Sequence, residues 1–545
     1  MPTRHDLKWW AIEGMLPVAS ALGQREAVID RVIDRITDEH EIVDPAIRQF
    51  EYKGEPKGRI VYPVVQGRAP VRNYMVCTLA HAFRVRGYEP VFLLCDSSLS
   101  MCMKKRRDGH DDARCEVCTH TGRRLFEAFG YDPVTLSELP GADHNATVEV
   151  DDLADPFDIT YRGVDLSDFA VASTRNHLKM NEIDLSDPET RALYEGLLDG
   201  GAHLVDATAA LIKETGATRI VGNHPAYIYG GVPLATAREQ GLQAVTIMGG
   251  KRDRTLLVGY FDEETPLPTY TDQDYLDEVL DRPLSDGQDA EVEEIMAGRR
   301  DGSEIRYHYA SNSEVSVEAG SGDGLTVGVF SNLMWDASLA SKAITFADPY
   351  EWVVRTLSVL ARREDVHVVM KPHPAEAMRE SNRRVDRWLE SEHPDIVDRI
   401  ELLPPDTDVS PYELMGDLDV GVVYSTNLAL EMAIDGIPAV VAADVHYRGN
   451  GFTIDPENRE AYLEILRNID NVGMTDEMQT RARRYAHLLW VRKHIPYRVY
   501  ETSSKDDFGS VHALPVEHED LTPGNEHVDF IIDQVLAGEP VVRPL

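Results

Sequence analysis

Residues 366–374 read Val-His-Val-Val-Met-Lys-Pro-His-Pro. The first five, Val366 to Met370, are a short β-branched run of the kind that forms a buried strand, and they lead straight into Lys371-Pro372-His373-Pro374. Open α/β sheets bind ligands just past the carboxyl ends of their strands, which is where this tetrapeptide falls. The two prolines stiffen the turn, and Lys371 and His373 offer donors to an anion. The plainer alternative is a loop with an incidental lysine and histidine. Position and rigidity favour a site.

The neighbouring text repeats the pattern. Leu325 to Phe330 reads as a strand, Tyr350 to Arg362 as an amphipathic helix, and Val420 to Tyr424 as a strand. Leu428 to Ile434 follows as a helix stopped by Gly436, then Pro438 to Ala442 as a strand, with helices at Glu460 to Asn468 and Thr480 to Lys493. Between the strand and helix around 424–431 lies Tyr424-Ser425-Thr426-Asn427-Leu428-Ala429-Leu430-Glu431. Free N–H groups at a helix start, with the Ser425 and Thr426 hydroxyls, suit a phosphate, although either hydroxyl can simply cap the helix. Glu431, in the second turn, is placed to accept a ribose hydroxyl.

The first half alternates in the same way. Arg59 to Val65 reads as a strand ended by Gln66-Gly67-Arg68, a helix runs from about Asn73 to Arg86 until Gly87, and Pro90 to Cys95 is a second strand. Thr218 to Gly222, Pro233 to Gln240 and Gln243 to Met248 give another strand, helix and strand. Leu166 to Glu214 reads as mostly helical, interrupted near Asp187–Pro188, and Trp9 to Asp38 as a packing helix with Val28, Ile29, Val32, Ile33 and Ile36 on one face. The expected organisation is a helical extension (1–58), a first α/β domain (59–261), an acidic connection with a helix at Ala290 to Ala297 (262–324), a second α/β domain (325–500), and a tail with a helix (501–545). Two doubly wound sheets then face a cleft.

Composition limits the partners. The 545 residues carry 55 Lys and Arg against 94 Asp and Glu, a formal charge of −39, which argues against nucleic acid. Acid spread along the whole chain, with Arg far outnumbering Lys, suggests a salt-rich cytoplasm; stability should then rise from dilute buffer to molar KCl, and unchanged melting would refute this. No apolar run approaches the roughly 18 residues that cross a bilayer, and Met1 to Trp10 lacks the marks of a signal peptide, so a cytoplasmic location is expected. Asn145-Ala146-Thr147 is therefore discounted as a glycosylation site.

The KPHP turn and the Ser/Thr helix start with its downstream Glu resemble those of surface-carbohydrate glycosyltransferases of the GT-B architecture. More narrowly, they are similar to the capsule polysaccharide biosynthesis proteins, relatives of Kdo transferases and of CDP-glycerol glycerophosphotransferases. Phe330 to Ala337, His446 to Thr453 and the helix around Arg484-Tyr485-Ala486 extend the likeness over Leu325 to Tyr500, and Asn223-His224-Pro225-Ala226-Tyr227 more loosely to the first half.

The resemblance implies an inverting, metal-independent transfer of a sugar from a nucleotide-activated donor. The acceptor would be a glycan or a lipid-linked glycan, presented at the inner membrane face. Lys371 and His373 would contact donor phosphate, with Ser425, Thr426, Asn427 and adjacent amides completing the cradle, Glu431 on the ribose, and Asn332, Trp335 and Asp336 beside the donor. Asp96, His224 and the turn at Arg68 are candidates for the base and acceptor side, with Asn223 and Tyr227. A polyol-phosphate transferase, a nucleotide-sugar 2-epimerase and a non-catalytic metal-stabilised scaffold are the alternatives. No DxD pair has a strand-end setting; Asp111–Asp112 and Asp151–Asp152 read as acidic turns.

A separate signal comes from Cys95-x6-Cys102-x12-Cys115-x2-Cys118. Four thiols this close in a reducing compartment suggest a structural zinc, or an iron–sulfur cluster, rather than disulfides; free thiols in a charged loop are the alternative. Lys104 to Arg107, the dense basic run between the pairs, reads as a solvated loop face or a contact for a phosphorylated acceptor, and Cys77 as core.

Overall fold

The computed structural model describes residues 24–34, 38–105, 112–139, 155–262, 267–304, 324–336, 343–378, 381–407, 409–502 and 511–545. Besides two small two-stranded sheets, its strands are β1 (Gly58–Pro63), β2 (Tyr88–Leu94), β3 (Val134–Thr135), β4 (Arg219–Asn223), β5 (Gln243–Gly249), β6 (Thr255–Tyr260), β7 (Leu325–Phe330), β8 (Val366–Lys371), β9 (Glu401–Leu402), β10 (Val420–Val423), β11 (Ala439–Val441) and β12 (Ile495–Pro496). They form two large sheets. The first runs β12-β6-β5-β4-β1-β2-β3 and the second β9-β8-β7-β10-β11.

Within each sheet the parallel strands follow the same doubly wound order, out from the first strand in one direction and then back in the other. Parallel strands packed on both faces read as near-continuous apolar runs, and the second sheet shows why. Val329 and Met370 face a cluster with Trp352 and Leu357, whereas Phe330, Val369 and Val423 face another with Leu430, Met432 and Trp490.

The helices follow the expected units with shifted ends. Pro70–Val85 (α1) starts on a proline at its first turn, where no N–H is needed, and Gly87 follows at φ +94°. Asp112–Phe129 (α2) crosses between β2 and β3. Ser167–Leu178 and Pro188–Thr215 fill the helical stretch, the second capped by Asp187, whose carboxylate accepts from Thr190 N at 2.9 Å. Ile228–Glu239 (α3) begins upstream of Pro233, which lies inside it. In the acidic connection, Asp286–Arg300 (α4) is longer than expected because Ser285 and Gln288 close a capping box. Arg25–Ile33 confirms part of the N-terminal helix and packs Ile29, Val32 and Ile33 on Ala113 and Val117; Ile36 and the residues before 24 lie outside the described residues.

Two arrangements were not visible in the sequence. α4 and the helix Gln273–Leu280 pack on the second sheet, through Leu280, Val292 and Met296. The chain then leaves the second unit: β12 pairs antiparallel with β6, and Val516, Leu521, Val528, Ile531 and Ile532 share one core with Ile60, Phe83 and Val258 of the first. The units also touch directly, where Asn382 N donates to Lys179 O at 3.1 Å and Asn181 Nδ2 to Asp348 Oδ1 at 3.3 Å. No helix among the described residues is long and apolar enough to cross a membrane.

Candidate functional site

The switch point of the second sheet lies between β7 and β10, the place where such sheets leave a crevice for ligands. Lys371 ends β8 opposite Phe330, which ends β7 opposite Val423 of β10, so Lys371 and Val423 stand about 10 Å apart across two strand spacings. The segments beyond are stitched together. Asn332 Oδ1 accepts from Ser425 N at 3.1 Å, and His373 N donates to Ser331 Oγ at 3.3 Å. The loops after β7, β8 and β10 therefore form one surface.

Two buried polar atoms at this surface have no hydrogen-bond partner among the described residues, Lys371 Nζ and Ser425 Oγ. Lys371 is only 3 % exposed. Burial lowers its pKa to about 8, against the opposing pull of Glu413 and Asp406. An orphaned buried ammonium costs stability, so its retention points to an anionic ligand. His373 Nδ1 accepts from Ala375 N at 3.1 Å, which assigns the ring proton to Nε2 and makes that atom a donor.

The helix after β10, Leu428–Ile434 (α5), starts at Asn427, whose Oδ1 lies 2.8 Å from His446 Nε2. Thr426 Oγ1 accepts from Leu428 N at 3.4 Å, and its carbonyl accepts from Tyr447 at 2.6 Å, so this residue caps as well as lines the turn. Trp335 is packed with Leu333 and Ala375, its Nε1 donating to Ser381 Oγ at 2.7 Å, while Lys179 of the first unit stands 3.9 Å from its ring centroid. Asp336 closes the same turn, its N donating to Leu333 O at 2.9 Å.

Glu431 departs from its expected surroundings. It is 2 % exposed, and its Oε1 accepts from Arg299 Nε of α4 at 3.0 Å, so its carboxylate is engaged by arginine rather than open to a ribose. The pairing spans 132 residues and left no local signal. A second carboxyl, Glu376, escaped the sequence reading although it stands just after the KPHP turn. It is fully buried, burial raises its pKa to about 8, and its Oε2 accepts from Val385 N at 2.8 Å.

The first sheet's carboxyl edge carries the remaining candidates. Its own switch point lies between β1 and β4, where the Gln66-Gly67-Arg68 turn and the Asn223-His224 segment emerge. His224 takes φ +51°, and its ring stacks on Tyr227 at 6.4 Å. Tyr227 OH accepts from Asn176 Nδ2 at 2.8 Å. Gly230 lets α3 sit against this turn, since a Cβ there would come within 2.3 Å of Asn223 O. Asp96, past β2, is away from the switch point. Burial pushes its pKa up, but hydrogen bonds from Ser137 and Ser98 outweigh this and hold it low, which makes it a poor base.

Cys95, Cys102, Cys115 and Cys118 all line one pocket, with Val65, Leu99 and Lys104 among its walls. Burial pushes the Cys95 thiol up to about 12 and raises that of Cys118. Among the described residues, however, no group of three or more His, Cys, Asp or Glu side chains is arranged to hold a metal ion, so the zinc expectation is not supported: the thiols share a pocket without closing on one ion. Cys77 is fully buried core. Residues 106–111, 145–147 and 151–152 lie outside the described residues, and with them Arg106, Arg107, the Asn145 sequon and the acidic pairs, except for the backbone of Asp112 at the start of α2.

No family model and no curated protein matches this chain. Among solved structures, it is similar to the β-Kdo 2,7 transferase KpsC of Thermosulfurimonas dismutans at 14 % identity, over 56 % of this chain and 85 % of that one, with a TM-score of 0.32. It is similar to MnaA of S. aureus, solved with UDP, at 10 % identity over 89 % and 99 % of the two chains, with a TM-score of 0.29. The spinosyn rhamnosyltransferase SpnG gives 10 % identity over 79 % and 96 %, with a TM-score of 0.26. The fold, an α/β architecture with two doubly wound units, stands on the sheet orders themselves.

Proposed function

We propose that this protein is a glycosyltransferase that binds a nucleotide-activated sugar at the carboxyl edge of its second sheet and passes the sugar to a glycan or lipid-linked acceptor. The observation that carries this reading is the pair of orphaned buried groups, Lys371 Nζ and Ser425 Oγ, on a surface that Asn332 and His373 complete. Donors already fixed in place stabilise the negative charge that grows on phosphate as the glycosidic bond breaks, at no cost in reorganisation.

In the reaction the acceptor oxygen attacks the anomeric carbon from the face opposite the phosphate. The bond from that carbon to the phosphate oxygen breaks, its electron pair leaves with the nucleotide, and the acceptor hydroxyl proton passes to a base. His373 and Lys371 face the leaving group. On the first unit His224, at the switch point, is the better base than Asp96, whose pKa is held low. Tyr227 and Asn223 beside it, and Arg68 on the turn after β1, would meet the acceptor.

The test is thermal stabilisation by UDP, CDP, GDP and CMP. A ligand at a hundredfold excess over its Kd adds about 2.7 kcal/mol, easily read as a rise in Tm. Wild type should respond to at least one nucleotide, and Lys371→Ala and Ser425→Ala should lose the response. An equal response in both variants overturns the assignment. Sugar release or epimerisation that proceeds undiminished without any acceptor would favour the 2-epimerase reading instead.

A further inference from the structure

We infer that Asn427 accepts a hydrogen bond from a ribose hydroxyl of the nucleotide, and that His446 is the positioning residue that turns its amide oxygen outward. The inference rests on the transferase reading and supplies what Glu431, closed off by Arg299, cannot. Asn427 stands on the same helix face as Glu431, one turn nearer the crevice and two residues past Ser425. Proton counting fixes its amide. Tyr485 OH lies 2.6 Å from His446 O and 2.7 Å from His446 Nδ1. A carbonyl oxygen only accepts, so the phenol gives its one proton there, and burial keeps that proton on the phenol. The phenol oxygen then accepts from Nδ1–H, and in the neutral ring Nε2 carries a bare lone pair.

The Asn427 amide approaches Nε2 to 2.8 Å, with Oδ1 as the near atom. Two acceptors at that distance repel, unless the ring takes a second proton in a place only 8 % exposed. The two ends of an amide are told apart by the bonds they make, so half a turn puts Nδ2 against Nε2 and gives every proton an acceptor. Oδ1 then faces away from His446. That end of the amide has no partner among the described residues and is not buried, and beyond it lies the crevice past β10. His446 is itself held in place. The Tyr270 and Tyr447 rings meet it edge-on at 6.1 and 5.3 Å, and Tyr485 stacks on it at 5.9 Å. Tyr447 also donates to Thr426 O at 2.6 Å, so two neighbours grip both residues of the turn. An outward oxygen repels phosphate and accepts from a hydroxyl. The cradle therefore has two parts: Lys371 Nζ and Ser425 Oγ donate to phosphate, and Asn427 Oδ1 accepts from the adjoining ribose.

The experiment is isothermal titration of the full chain. It compares the nucleotide, among UDP, CDP, GDP and CMP, that stabilises the wild type with its 2′-deoxy and 3′-deoxy counterparts. Wild type should bind the ribonucleotide at least about fivefold more tightly than one of the deoxy forms, the worth of one hydrogen bond. Asn427→Ala should weaken the ribonucleotide by that factor and leave that deoxy form unchanged, so the preference disappears. His446→Leu should abolish the preference too, while His446→Gln, which still offers Nδ2 an acceptor, should restore most of it. A role in packing alone would weaken all forms equally. Asn427→Ala, at a partly exposed position, decides the matter if a His446 variant does not fold. Equal binding of all three forms by wild type, or a preference that survives in Asn427→Ala, overturns the inference and leaves the transferase reading intact. Failure of every nucleotide to bind wild type overturns both.

Discussion

The two sheets share a strand order and differ at the edge where that order puts ligands. At the end of the second, Lys371 Nζ and Ser425 Oγ are buried without partners, held by loops that bond to one another. The first edge instead carries four thiols, two of them receiving amide bonds, and a histidine at positive φ beside stacked tyrosines. One topology thus supplies a position, and the residues placed there decide the chemistry. The second edge leaves buried donors without partners, and the first gathers thiols and aromatic rings.

The contrast can be broken from either side. The largest expected effect comes from Arg299→Met, which leaves the Glu431 carboxylate buried without its arginine. Stability should fall by about 3–5 kcal/mol in urea unfolding, and adding Glu431→Leu should recover much of the loss. Gly67→Ala should cost about 1–3 kcal/mol, because the new methyl meets Cys118 O, and nucleotide binding at the other edge should survive. If nucleotide binding is lost as well, the edges are not independent.

Smaller and opposite in sign is Lys371→Met. Removing an unpaired buried ammonium should raise stability by about 1 kcal/mol at neutral pH while abolishing the nucleotide-induced rise in Tm. The mildest test is pH. Glu376 titrates near 8 in the fold against 4.5 ordinarily, so the fold keeps a proton that the unfolded chain has lost. Its contribution to stability is complete below about pH 4.5 and is lost as pH rises through 8. Glu376→Gln should flatten that decline, measured as Tm across the range.

Much of this layout could be read in advance where local rules dominate. β7, β8, β10 and β11 match their β-branched runs to within a residue or so, since strands buried on both faces need apolar side chains throughout. The KPHP turn could be placed because a strand announces its own end. What was hidden depends on distant partners. β12 spans two residues and exists only by pairing with β6, and Arg299 finds Glu431 across 132 positions. α3 starts five residues before Pro233, the residue that reads as its start, because Gly230 and Gly231 allow the chain to coil tightly against the β4 turn. The cysteines were visible as a group, but spacing alone did not reveal that α2 and the loops after β1 and β2 would bring all four to one pocket.

The return of the chain to its first sheet sets an order of assembly. Ile495, Val528, Ile531 and Ile532 complete a core whose other members, such as Ile60 and Phe83, are translated more than four hundred residues earlier. During synthesis the second unit holds all its strands before those residues emerge, so it can close first, while the first unit waits with an open apolar face. Nascent chains halted before β12 should therefore show a protease-resistant second unit and a labile first one, inverting the usual amino-to-carboxyl sequence of maturation.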